Sequence, residues 1–303
     1  MGSDAHVIVV GGPPGLADRA RARIDDLEGK WSRFLPDSEV SELNRQAGNW
    51  VTVSGETLLL VERALEAWRL TVGRFDPTVL GDLIRAGYDR SFDELGPAPA
   101  GGESPLTGGA GRIEIEAARS RVRLPAGTGF DPGGIGKGLA ADLVVTDLLE
   151  TGAAGACVNL GGDLRVTGTP PSGQAWTVAV EHPWAPQPLA LVGLDDGAVA
   201  TSTSLRRQWQ AGGQTRHHLI DPWTGLPSES DLTLASVVAA RAWAAEVLAK
   251  AVLLRGSAGA FDLIDGLGAE ALAVDTGGRI MASSGFGAFL GGASLPGRLH
   301  PAP

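Results

Sequence analysis

Apolar positions along the chain fall into short alternating runs and a few helical stripes, with no internal repeat at a solenoid period. The runs predict strands over 6–10, 156–160, 176–180, 189–194, 199–204 and 232–239, and a strand closing in a turn over 217–225. Two hairpins are predicted, 112–115 with 121–124, and 271–274 with 279–282 around Thr276-Gly277-Gly278. Helical spacing predicts a charged, exposed helix over 16–27 and a short helix ending near Asn44. A third helix has Ser54 as its N-cap, carries Leu58, Val61, Leu65, Trp68 and Val72 on one face, and stops at Gly73. Further helices are predicted over 139–149, 242–254 and 261–267. The Gly-, Pro- and Ala-rich stretch 96–111 reads as a surface loop. Strands and helices mixed without a repeating β-α order point to an α+β fold.

The chain has 303 residues, 43% of them hydrophobic, enough for a substantial core. A net charge of −10 is the opposite of a nucleic-acid-binding balance, so that class of partner is excluded. The single cysteine, Cys157, rules out an internal disulfide and lies in an apolar run as a buried thiol. No apolar run of transmembrane length and no basic-plus-apolar leader is visible, which leads to the expectation of a cytoplasmic protein with no membrane segment. Only three of the 25 basic residues are lysines: Lys30, Lys137 and Lys250. An ammonium is a compact point charge that a guanidinium does not replace, so the two that fall in the motifs below draw notice.

The candidate chemistry centres on Phe130-Asp131-Pro132-Gly133-Gly134-Ile135-Gly136-Lys137-Gly138-Leu139-Ala140-Ala141-Asp142. Its glycines let backbone approach a ligand closely, and the following helix turns unpaired amides toward an anion. Lys137 adds a full positive charge and Asp131 an acceptor. The stretch matches neither the dinucleotide-binding G-x-G-x-x-G nor a P-loop, and a plain structural turn ahead of a helix fits it too.

Several blocks taken in order resemble the ApbE family of FAD:protein FMN transferases. They are Ser32-Arg33-Phe34 through Leu43-Asn44, Phe75-Asp76-Pro77-Thr78-Val79, the glycine-rich stretch, Val158-Asn159-Leu160-Gly161-Gly162-Asp163, Ala200-Thr201-Ser202, and His218-Leu219-Ile220-Asp221-Pro222-Trp223-Thr224-Gly225. The opening Met1-Gly2-Ser3 is similar to that family's first motif, so the resemblance spans nearly the whole chain. It implies one domain over 1–303 with the α+β T-fold, mixed sheets with helices packed on them, and FAD between two lobes. It implies cleavage of the FAD pyrophosphate, transfer of FMN to a Thr or Ser hydroxyl of a target protein, and release of AMP. Some relatives instead hydrolyse FAD.

By the same resemblance, Met1, Phe34, Arg74, Phe75 and Asp76 match flavin or adenine contacts, and Ile220 and Thr201 match further cofactor-binding positions. Asp131 and Lys137 match the loop positions that hold FAD, His218 a histidine beside the transferred phosphoryl, and Gly134 a carbonyl that helps hold Mg²⁺. As residue types they suit the reaction: phosphoryl transfer needs charge neutralisation and a positioned nucleophile, and a histidine can act as general base. A strand histidine bonded to backbone is the plainer reading of His218, hydroxyls satisfying a strand end that of Thr201-Ser202, and an ordinary turn that of 221–225. His217 is expected to point to the opposite strand face, away from any chemistry.

The pattern breaks at Ala245-Glu246-Val247-Leu248-Ala249-Lys250. The resemblance calls for Asp and Thr side chains here as Mg²⁺ ligands. Glu246 keeps a carboxylate, but Lys250 puts a cation where an oxygen is needed, four residues on and on the same helix face. One reading makes the Lys250 ammonium a catalytic stand-in for the ion against Glu246; the other makes the two a surface ion pair. Loss of metal ligands also leaves open a non-catalytic FAD-binding protein, an FAD pyrophosphatase, or, with no flavin at all, a phosphate-binding module.

Overall fold

The computed structural model describes residues 4–96, 108–290 and 300–301. Of the predicted loop 96–111, only 96 and 108–111 fall within that range. The chain divides into two compact units: one lies within Asp25–Gly136 and Ser204–Glu229, the other within Ser3–Ile24, Lys137–Thr203 and Ser230–Pro303. The elements are helices with mainly antiparallel sheets, the α+β class.

The second unit is built on an eight-stranded sheet. In spatial order its strands are Ala5–Val10, Gly155–Leu160, Asp163–Gly168, Gly197–Thr203, Leu232–Ala239, Glu270–Asp275, Ile280–Ala282 and His300–Pro301, all antiparallel except the last pair. One face carries Cys157, Leu164, Val166, Val199, Leu234 and Val238, packed with Trp176, Val180 and Val192 of the hairpin Trp176–Val180/Ala190–Leu194. Because both faces of the central strand are covered, all eight residues of Leu232–Ala239 are buried and the run reads as continuously apolar apart from Thr233 and Ser236.

In the first unit, Ser38 caps helix α2 (Glu39–Arg45) by accepting from the Ser41 N–H, and Ser54 caps α3 (Gly55–Leu70) by accepting from the Thr57 N–H. The hairpin predicted over 112–115 and 121–124 forms two residues later on its first strand, as Glu114–Glu116/Arg121–Arg123, and gains a third strand, Trp50–Thr52, beside Arg121–Arg123. Helix α4 (Leu80–Arg85) packs Leu83 with Tyr88, Trp209 and Ile220 in a small separate core.

Three expectations change. Helix α1 (Leu16–Trp31) is longer than 16–27 and is not exposed all round: Leu16, Ala20, Ile24, Leu27 and Trp31 are buried, a stripe at helical spacing. On α3 the buried face is Leu60, Val61, Ala64 and Leu65, while Val72 lies past the helix end and is 74% exposed. The predicted helix 261–267 is a succession of turns, each closed by an i to i+3 bond: Asp262 to Gly259, Ile264 to Phe261 and Leu267 to Ile264. Gly259 and Gly266 sit at φ +76° there, a backbone state that ends a helix.

Candidate functional site

The glycine-rich stretch runs straight into a helix, α5 (Gly136–Glu150), which begins three residues earlier than its apolar pattern implies. Lys137 and Gly138 therefore sit in the first helical turn. Two amides there have partners: Gly136 donates to the Pro132 carbonyl at 2.8 Å and Gly138 to Glu246 Oε2 at 2.8 Å. Glu246 comes from α6 (Ala242–Arg255), which packs along Gly197–Thr203 and Leu232–Ala239. A carboxylate at a helix N-terminus is favoured by the aligned peptide dipoles.

The Lys137 ammonium bridges two carboxylates. It lies 2.9 Å from Glu246 Oε1 and pairs with Asp163, which starts a strand directly after the Gly161-Gly162 turn. All three side chains are largely withdrawn from water, at 15% exposed for Lys137 and 4% for each acid. Such a pair is held in place by the cost of leaving a buried charge alone. Thr201, also in this unit, donates to Ser236 Oγ at 3.0 Å on the neighbouring strand. Lys250 follows Glu246 by one turn of α6 and is half-buried.

The first unit holds the other candidates. Asp131 lies 3.3 Å from Arg33 Nε and donates its N–H to the Pro77 carbonyl at 2.7 Å. Arg33 packs against two neighbouring rings: its guanidinium carbon is 4.2 Å from the Phe34 ring centre and 4.6 Å from that of Tyr88, and the two ring centres are 5.9 Å apart. Arg33 and Phe34 line an open cavity of about 750 Å³ together with Asp89, Arg90 and Ser91, and Phe34 is 37% exposed beside it. Phe75, in contrast, is buried, and its N–H is held by Thr71 Oγ1 at 2.9 Å. Asp76 is buried and accepts from the Thr78 N–H at 2.7 Å and from the Thr78 hydroxyl. Burial pushes its pKa up, against the two Thr78 hydrogen bonds that favour the charged form.

Arg74 packs its guanidinium 3.5 Å from the Trp223 ring centre and 3.6 Å from Asp221. Ile220 is buried and His218 half-buried. His217 is a structural residue: its Nε2 lies 3.0 Å from the Ser228 carbonyl and its Nδ1 accepts the Leu219 N–H at 3.3 Å. That pattern requires the neutral Nε2–H tautomer, and burial holds the pKa below the usual imidazole value. Met1 lies outside the described residues, and Gly134 is a buried turn residue of the first unit.

The residues available to Mg²⁺ do not suit it. Magnesium wants an octahedron of oxygens at about 2.0–2.1 Å. Both Glu246 oxygens are already engaged, by Lys137 and by the Gly138 N–H, and the next turn of α6 presents an ammonium, which has no lone pair to give. Among the described residues no group of three or more His, Cys, Asp or Glu forms a metal-binding cluster.

The ApbE family profile matches residues 1–273. The chain belongs to the ApbE family. A Treponema pallidum relative named FAD:protein FMN transferase is 30% identical over 271 residues, 82% of this chain and 74% of that one. A Vibrio cholerae relative of the same name is 27% identical, covering 80% and 76%. Among solved structures, the Thermotoga maritima ApbE protein superposes with a TM-score of 0.86 at 27% identity, covering 95% of this chain and 96% of that one. The Vibrio cholerae flavin transferase ApbE gives 0.83 at 24% identity, which bears on the fold. Within this ApbE chain, Asp163, Asp142 and Arg33 each hold other side chains or backbone in place; they fall inside the sequence blocks quoted above but do not stand out there as site residues. Each acts through a partner 26 to 100 residues away, and no local spacing reports that.

Proposed function

We propose that this chain is an FAD:protein FMN transferase, which cleaves the FAD pyrophosphate and passes FMN to a threonine or serine hydroxyl of a target protein. The observation that carries the reading is the Lys137 ammonium, held at the start of α5 by Asp163 and Glu246 in a chain of this family. In the reaction the acceptor oxygen bonds to the FMN phosphorus, the bond from that phosphorus to the bridging oxygen breaks, and AMP leaves with the electron pair. The hydroxyl proton passes to His218 acting as general base, a contribution of about 10²–10⁴-fold. Lys137, together with Lys250, meets the charge of the diphosphate. Asp131, Phe34, Arg74, Asp76, Ile220 and Thr201 are the further side chains proposed for FAD.

Charge balance bears on the metal. Lys137 brings one positive charge against the two negative charges of Asp163 and Glu246, so this cluster alone is net negative and repels a diphosphate. In our reading Lys250, one turn beyond Glu246, supplies the missing charge in place of Mg²⁺. The purified protein is incubated with FAD and a cell lysate, with excess chelator or with Mg²⁺. AMP release and a protein band that stays fluorescent after denaturation, in chelator, are expected. A strict Mg²⁺ requirement removes the role given to Lys250. AMP without a fluorescent band indicates an FAD pyrophosphatase, and bound, intact FAD a flavin-binding protein.

A further inference from the structure

Helix α6 has no cap of its own. Its cap residue, Arg241, is extended at φ −132° and ψ 141° and makes no side-chain capping bond. The first amides of α6 are capped from a different helix: Asp142 of α5 accepts the Ala242 N–H on Oδ1 and the Trp243 N–H on Oδ2, each at 3.0 Å. Asp142 is 7% exposed. Behind it Arg165, itself buried, lies 3.3 Å from Oδ1 and divides its remaining donors among Asp196 and the Gly197 and Val166 carbonyls.

This cap is one end of a seam whose other end is the candidate site. Gly138 lies one turn before Asp142 on α5, and Glu246 one turn after Ala242 on α6. Gly138 gives its N–H to Glu246, and its Cα faces the Ala242 carbonyl so closely that a side chain there would meet it at 2.3 Å. The Asp142 carboxylate and the Glu246 carboxylate thus fix the same two helices to one another across one turn each, and the second also holds Lys137.

We propose that Asp142 is a positioning residue for flavin transfer: by capping α6 from α5 it sets where Glu246 stands, and through Glu246 where the Lys137 ammonium stands. The proposal rests on the FAD reading above. A capping residue that serves stability alone changes the melting temperature without changing the folded enzyme, whereas a positioning residue changes how the folded enzyme handles FAD. A double-mutant cycle distinguishes them. FAD affinity by calorimetry and kcat/KM for AMP release are measured, well below the melting temperature, for wild type, Asp142→Ala, Glu246→Gln and the double variant, with Asp142→Asn as a milder change that keeps one acceptor oxygen. Asp147→Asn, which breaks the exposed Arg19–Asp147 pair on the same helix, is the control for lost stability alone.

The expected result is a loss of about tenfold in kcat/KM for Asp142→Ala, an intermediate loss for Asp142→Asn, and none for Asp147→Asn. On the Glu246→Gln background, Asp142→Ala is expected to add little, because its path to the substrate is already broken. Additive losses, or an Asp142→Ala enzyme with wild-type kcat/KM and only a lower melting temperature, overturn the proposal and leave the FAD reading intact. If Asp142→Ala does not fold, the Asp142→Asn cycle decides on the same criterion. A wild-type chain that neither binds nor cleaves FAD overturns both.

Discussion

Replacing Gly138 by alanine separates the account from a generic view of glycine in helices. Helix propensity alone predicts that Gly→Ala inside α5 stabilises by about 1 kcal/mol. The structure predicts the reverse. A Cβ on Gly138 would lie 2.3 Å from the Ala242 oxygen, 2.5 Å from its carbonyl carbon and 2.7 Å from the Trp243 nitrogen. Ordinary contact begins at 3.4 Å, so α6 must retreat by about 1 Å, and the atoms in the way are backbone that cannot rotate aside. Overpacking of this kind costs about 1–3 kcal/mol. The same retreat stretches the Gly138–Glu246 bond and the two bonds to Asp142, where a lost buried bond costs about 1–3 kcal/mol. The net expectation is a destabilisation of about 2–5 kcal/mol. Gly136 is the internal control: the nearest atom to an added Cβ is Pro132 Cβ at 3.5 Å, and Gly136→Ala is expected to be neutral or slightly stabilising. Guanidinium denaturation followed by tryptophan fluorescence measures both. A Gly138→Ala protein as stable as wild type would refute the close α5–α6 seam on which the candidate site rests.

Two further predictions concern titrating groups. Burial raises the Asp76 pKa above its ordinary 3.8, so between 3.8 and the raised value the folded state binds more protons than the unfolded state. Its contribution to stability therefore grows as pH falls through that window, and Asp76→Asn should remove that part of the slope when denaturation midpoints are followed from about pH 4 to pH 7. A variant with an unchanged slope counts against a buried, penalised carboxylate. Burial pushes the Cys157 thiol up to about 11, so at pH 8 the native protein should react with a disulfide reagent far more slowly than the denatured chain. Equal rates would place Cys157 outside the core.

Local signals in the chain proved readable where local chemistry decides the structure. Ser38 and Ser54 cap helices because their side chains reach amides three residues on, and the hairpin around Thr276-Gly277-Gly278 pairs Val274 with Ile280. The stretch 261–267 misleads because its apolar spacing suits a helix while the glycines around it adopt positive φ. Lys137 is visible as a scarce lysine in a glycine-rich run, and its setting is not. Asp163 and Glu246 are 26 and 109 residues distant, and the sequence offers Lys250 as the obvious partner for Glu246 because four residues separate them. Asp142, likewise, is an unremarkable acid in the apolar helix 139–149 until α6 is folded against it. Leu232–Ala239 is buried on both faces and reads as a bare apolar run.

The central claim is that the lysine fixed between two carboxylates at the start of α5, together with Lys250 one turn beyond Glu246, takes the diphosphate of FAD. Calorimetric titration with FAD and, separately, with riboflavin, for wild type and Lys137→Met, tests it most directly. The account predicts that wild type binds FAD more tightly than riboflavin, which has no phosphate, and that Lys137→Met sharply reduces this difference while remaining folded. Equal affinity of wild type for the two flavins, or an FAD preference undiminished in Lys137→Met, would contradict it.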